Sequence, residues 1–259
     1  MRKKESKHFS SSKIFYFIFI IILFYLIYYN QEGNVKAMDM SNPKYLDRDG
    51  FCVFYDPKYV EIKDQPSEQL KKDVLSILQP GYNFIDYVYK IHDGSLSTFH
   101  RDVTSSQTIY KTKHPVYTLI LYKYDGYLLS VCPGSAKSYP FVWSRIMNVE
   151  GRSGTAILFD CDLLHAGSFN NCNERHIIQY KICHSEDINK LEHLVGIRQE
   201  KTAVCQMTLF NIMLRKATYI FELPINYIFY PLMLKRENNN TLIGKIQSII
   251  PVQFYINSI

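Results

Sequence analysis

Between Tyr82 and Cys183 the chain is a succession of short runs, most of them rich in Val, Ile, Leu, Phe and Tyr, with Gly, Pro or Asp at or near the end of several. Nothing else in the sequence constrains the fold as much. The runs are 83–91, 96–103, 116–124, 127–132, 141–149, 155–159 and 176–183. Side chains on a strand alternate between two faces, and frequent turn residues stop each strand early, so such a series predicts a sandwich or barrel and not a parallel α/β sheet. Asp125 and Gly126, lying between two apolar runs, tolerate positive φ and predict a hairpin. The fold class expected is mainly β, with flanking helices.

The flanks read differently. Phe51 to Tyr55 is aromatic and β-branched and predicts one more strand. Ser67 to Leu78 has helical periodicity, with Leu70, Val74 and Leu78 on one face and Pro80-Gly81 as the stop. Residues 185–196 and 202–219 can form helices. The stretch 219–234 is apolar and aromatic but broken by Pro224 and Pro231, which argues against a membrane span there. It is expected to pack on the barrel. The resulting divisions are 1–13, 14–29, 30–49, a domain over 50–184, and a helical and aromatic extension over 185–259.

The chain has 259 residues and a formal net charge of +6. Residues 1–13 hold Arg2, Lys3, Lys4, Lys7 and Lys13 against Glu5, which is five minus one and accounts for +4. The remainder carries +2 with mixed signs, so no basic stripe suited to phosphate binding is present and nucleic acid is not an expected partner. After this basic tail, Ile14 to Tyr29 contains no charge, no Gly and no Pro. As a helix it would reach roughly 24 Å, slightly under a ~30 Å hydrocarbon core, with tyrosines at its ends suited to the interface. A transmembrane signal anchor is expected, since no small-x-small cleavage signal directly follows. Basic residues before the segment place the tail in the cytosol, which makes the chain a single-pass type II membrane protein with its main domain across the membrane. The polar residues 30–49 read as a stalk. Six cysteines show no CxxC spacing and no zinc pattern, so they read as small buried hydrophobes. The one glycosylation sequon is Asn239-Asn240-Thr241.

Chemistry concentrates in three places. His100 and Asp102 are two residues apart, so on a strand they project together while Arg101 faces away. His165 follows the buried-type run 154–160, and Arg175 comes ten residues later. Two imidazoles and one carboxylate on one face of an iron, with three positions open, form the facial triad of non-haem Fe(II) oxygenases. An Arg guanidinium clamps a carboxylate through two parallel hydrogen bonds, which makes Arg175 a candidate carboxylate holder.

These segments resemble the Fe(II)/2-oxoglutarate-dependent dioxygenase superfamily, most closely its phytanoyl-CoA dioxygenase-like branch. Phe99, His100, Arg101 and Asp102 resemble its aromatic-flanked His-x-Asp. Residues 129–135, ending in Pro133, Gly134 and Ser135, resemble its strand closed by Pro-Gly-Ser. Residues 159–175 resemble its distal-histidine strand, including Asn170. The chain departs from the pattern at Ala166-Gly167-Ser168, where the family has Gly-Ser directly after the histidine, and in a His-to-Arg spacing of ten where eleven is common. The resemblance implies a double-stranded β-helix of the jelly-roll, cupin-like kind. It also implies Fe(II) held by His100, Asp102 and His165, with 2-oxoglutarate as cosubstrate bound by Arg175. O₂ would be the oxidant, and a substrate would be hydroxylated with release of succinate and CO₂. That substrate could be a small molecule, a lipid or a protein side chain. Tyr89, Tyr110 and Thr118 are candidates for the other end of 2-oxoglutarate by location, and Phe99 and Trp143 for the pocket wall. A catalytically inactive binding module on the same fold, displayed on a membrane, is the alternative.

Overall fold

The computed structural model describes residues 11–29, 31–93, 98–138, 142, 144–169, 175–201 and 207–229. In chain order its elements are helix α1 (Ser11–Tyr29), β1 (Glu32–Lys36), α2 (Lys44–Asp49), β2 (Phe51–Tyr55), α3 (Glu68–Leu75), β3 (Tyr82–His92) and α4 (Gln107–Tyr110). Then follow β4 (Tyr117–Tyr122), β5 (Gly126–Val131), β6 (Ile146–Gly151), β7 (Thr155–Asp160), β8 (His165–Gly167), β9 (His176–His184), β10 (Gly196–Lys201) and α5 (Leu209–Ile220).

The strands form two sheets. Six pair in the order β10-β3-β9-β4-β7-β2 and four in the order β1-β6-β5-β8. The alternation of β4 shows how they stack. Ile120 and Tyr122 enter a core shared with Leu129, Val131 and Val149 of the smaller sheet. Leu119 and Leu121 point the other way, into a second core closed by Leu70 and Val74 of α3 with Tyr59 and Ile62. A strand buried on both faces reads as a continuous apolar run, and β4 does. Two facing sheets with flanking helices make a jelly-roll-like fold, as expected for the mainly β reading.

Several expectations are corrected. Residues 30–49 are not a free stalk: β1 pairs parallel with β6, and Ala37, Met40 and Leu46 are buried in the cores. The polar composition of β1 reflects its edge position, since little of that strand is covered. The Asp125-Gly126 turn does not close a hairpin. Gly126 takes φ 115, but the turn carries the chain from the large sheet to the small one, and β5 pairs with β6 and β8. Residues 185–196 form a 3-10 turn (Ser185–Lys190) and lead into β10, which runs parallel to β3. In place of a regular strand over 96–103, the described part offers one bridge, His100 to His165.

The helix expected over 14–29 exists as α1, with the side chains of Ile14 to Phe24 all exposed. Among the described residues no helix is long and apolar enough to cross a membrane, so the structure bears out the helix and not the span. Cys52, Cys132, Cys161 and Cys183 are buried free thiols. Trp143, Asn170, Cys172, Cys205 and the sequon at 239–241 lie outside the described residues.

Candidate metal centre

His100 and His165 meet because their backbones bond to one another. The His100 amide donates to His165 O at 2.8 Å, and the His165 amide to His100 O at 3.0 Å. This bridge lies at the open edge of the small sheet, where β8 leaves its outer side unpaired by any longer strand among the described residues. The Pro-Gly-Ser turn supports it: Ser135 Oγ accepts from the Leu164 amide at 2.8 Å, and Cys132 N donates to Leu164 O at 2.9 Å. The Asp102 amide donates to Cys161 O at 2.8 Å, which fixes the carboxylate beside both rings.

Each imidazole is held in one tautomer. His100 Nδ1 lies 2.9 Å from Thr98 O, and His165 Nδ1 lies 2.9 Å from Leu163 O. A carbonyl only accepts, so each Nδ1 carries the proton and each Nε2 presents a lone pair. Those two Nε2 atoms stand 3.9 Å and 3.6 Å from Asp102 Oδ1, and all three potential ligand atoms lie within 4.8 Å of one another. Burial lowers the basicity of His100 and takes His165 to about 3, so both rings are neutral at physiological pH. Burial opposes ionisation of Asp102, but Lys181 and the two histidines outweigh it and hold the carboxyl well below its ordinary range. Two neutral imidazoles and one carboxylate, all buried, form a donor set suited to a divalent transition metal.

Arg101 does face away from the ligands, but into protein and not into solvent. Its guanidinium forms a two-pronged pair with Glu222, Nη2 to Oε1 at 3.0 Å and Nε to Oε2 at 3.1 Å, and donates to Ser135 O at 2.9 Å and to Asp162 O. The Phe99 amide donates to Thr218 Oγ1 at 2.9 Å and the Arg101 amide to Asn226 Oδ1 at 2.8 Å. The segment carrying His100 is thus clamped by α5 and the turn that follows it.

Arg175 is buried deeper in the barrel. Nη1 donates to Ser168 O at 3.1 Å, Nη2 to Leu128 O at 3.3 Å, and the guanidinium lies 5.2 Å from the Tyr124 ring centroid. Among the described residues no carboxylate pairs with it, and its Nε has no partner. Tyr122 Oη, close enough for the Arg175 charge to act on it, is also buried without a partner. A buried guanidinium with no carboxylate and an orphaned Nε fits a bound carboxylate, the group Arg175 is expected to hold, and Tyr122 Oη is a second buried donor without a partner.

Two side chains here were missed by sequence reasoning. Tyr122 reads as one aromatic among many, and Lys181 as an ordinary strand lysine. Yet Lys181 is 1% exposed and its Nζ lies 2.7 Å from Asp102 Oδ2, 2.8 Å from Ser105 Oγ, 2.7 Å from Thr118 Oγ1 and 3.7 Å from Cys161 Sγ. The signal was parity: Lys181 shares the inward face of β9 with Ile177, and Thr118 lies opposite it on β4. Thr118, a candidate for the cosubstrate, instead donates to Asp102 Oδ2. Tyr89 and Tyr110 are not brought to the centre; Tyr89 packs with Leu191 and Leu194, and Tyr110 stacks on His193 at 4.7 Å. Phe99 is buried against Tyr219 on the side of α5.

No family model matches the chain, and no curated relative does. Similar solved structures include AviO1 from Streptomyces viridochromogenes Tue57, at 14% identity and a TM-score of 0.42 over 54% of this chain and 92% of that one. The non-heme alpha ketoglutarate dependent epimerase SnoN from nogalamycin biosynthesis aligns at 13% identity and 0.42, covering 57% and 82% of the two chains. An oxidoreductase of the 2OG-Fe(II) oxygenase family from Burkholderia pseudomallei aligns at 11% identity and 0.42, covering 59% and 95%.

Proposed function

We propose that this chain is a membrane-anchored non-haem oxygenase that uses Fe(II), 2-oxoglutarate and O₂ to hydroxylate a substrate, releasing succinate and CO₂. One observation carries the reading: two Nε2 lone pairs, each fixed by an Nδ1 bond to a carbonyl, converge with Asp102 Oδ1. His100, His165 and Asp102 would hold Fe(II), leaving three positions open. Iron with bound 2-oxoglutarate supplies the oxidising chemistry towards O₂. The chain's own part is to hold and to shield. Arg175 and Tyr122 offer the donors for the distal carboxylate, and Phe159, its ring 4.5 Å from that of His165, walls the site against water.

Anchoring is the second element of the reading. Exposed apolar side chains on every side of α1 suit lipid and not water. Leu209, Phe210 and Met213 on α5 are also exposed, and Arg215 of the same helix lies 3.7 Å from Glu32, where β1 begins after α1. By the positive-inside rule the basic tail before α1 would stay on the cytosolic side. A small molecule, lipid or protein side chain remains the class of substrate.

The test uses the full chain in detergent micelles, given Fe(II) and 2-oxoglutarate without oxygen. A visible charge-transfer band and succinate release on admitting air are expected. His165→Ala should abolish the band. Arg175→Ala should weaken 2-oxoglutarate binding by about tenfold or more while metal affinity stays nearly constant. Wild-type protein that binds no divalent metal would sink the reading.

A further inference from the structure

Among the described residues Lys181 is the one buried cation that touches a candidate metal ligand, and neither metal binding nor cosubstrate binding, as set out above, uses it. Its three N–H donors match three acceptors, Asp102 Oδ2, Ser105 Oγ and Thr118 Oγ1, at 2.7–2.8 Å. A fully bonded ammonium at 1% exposure is part of the built site. Its contact is with Oδ2, the oxygen turned away from the histidines, while Oδ1 faces both Nε2 atoms. Thr118 donates to the same Oδ2. With both donors on Oδ2, Asp102 has one oxygen for a metal and cannot swing to offer two.

The charge count adds a second consequence. Neutral His100 and His165 with Asp102 and Lys181 sum to zero, so a divalent ion would keep its full charge of two. In a dry interior like charges repel over one carboxylate's width far more than in water. We propose that Lys181 is a positioning residue that restricts Asp102 to one-oxygen ligation and biases the centre against the bare metal and towards an anionic chelating ligand. This inference rests on the metal-centre reading above.

The role predicts changes of opposite sign. Removing a structural prop would weaken metal and cosubstrate together; removing a like charge strengthens one and weakens the other. In Lys181→Met, Thr118 still holds Oδ2, so Co(II) should bind the full chain about tenfold tighter. N-oxalylglycine, an unreactive analogue of 2-oxoglutarate, should then bind the cobalt form about tenfold more weakly. Lys181→Arg, which keeps the charge, should reproduce the wild-type order of both affinities. Equilibrium dialysis and calorimetry read these constants without turnover. Weaker binding of both ligands in Lys181→Met would overturn the proposal and leave Lys181 a packing residue. Failure of wild-type protein to bind Co(II) would instead remove the metal-centre reading on which it stands. Should the Met variant not fold, the wild type decides: the Lys181 ammonium protons should exchange slowly in a ¹⁵N spectrum of the Zn(II) form and shift in the Co(II) form. A fast-exchanging or unshifted ammonium would count against the role.

Discussion

Individual side chains in this molecule are set by what lies behind them, and Asp160 shows the consequence outside the metal centre. Partial burial at the end of β7 pushes its carboxyl up to about 7, against the opposing bond from the Asp162 amide at 2.8 Å and the nearby charges of Arg101 and Lys137. The folded value lies above the 3.8 of an unfolded aspartate, so between those values the folded chain keeps a proton that the unfolded chain has lost. Stability from this group is complete below about pH 4 and is lost as pH rises to about 7. Asp160→Asn should flatten that loss, measured as denaturation midpoints at about pH 5 and about pH 8; an equal drop in wild type and variant would refute it. The sequence disclosed His100, Asp102, His165 and Arg175 because their spacing encodes a chemical requirement. It concealed Lys181 and Tyr122, since one inward lysine and one inward tyrosine acquire meaning only from side chains on other strands. Thr118 was noticed for its location and turned out to hold the ligand carboxylate.

At the level of elements, the clamp between the His100 segment and α5 rests on a buried ion pair. Arg101 and Glu222 have side-chain exposures of 0% and 5%, and their N–O distances are 3.0 and 3.1 Å. Removing one partner strands the other charge, so Glu222→Ala should cost roughly 3–5 kcal/mol of stability by chemical denaturation. Arg101→Met with Glu222→Leu together should recover most of that loss; a double variant no better than the single would show that the pair itself matters. The central strands were legible because strands covered on both faces spell apolar runs. The edge strands β1 and β10 were not. Glu32-Gly-Asn-Val-Lys36 and Gly196-Ile-Arg-Gln-Glu-Lys201 carry the charges that keep sheet edges from pairing with other chains, and such composition reads as loop. The turn at Gly126 was legible as a turn, but which sheet receives the next strand depends on partners distant in sequence.

Over the whole molecule, the three candidate ligands lie on segments 63 residues apart and meet through a single bridge between the two histidine backbones. The donors therefore converge only after β4 to β8 have closed the two sheets. Contacts between distant segments form late and slowly. Once formed, the centre is enclosed: His100, Asp102 and His165 are 8%, 4% and 3% exposed. Exchange of a bound ion then requires the clamped segment 98–105 to open. Release of Co(II) to EDTA should proceed at a rate independent of EDTA concentration, and Glu222→Ala should accelerate it. A rate rising in proportion to EDTA would mean that the chelator reaches the ion directly. In an enclosed centre of this kind, the contacts of Arg101, Thr218, Glu222 and Asn226 that aim His100 would also set the pace at which any ion enters or leaves.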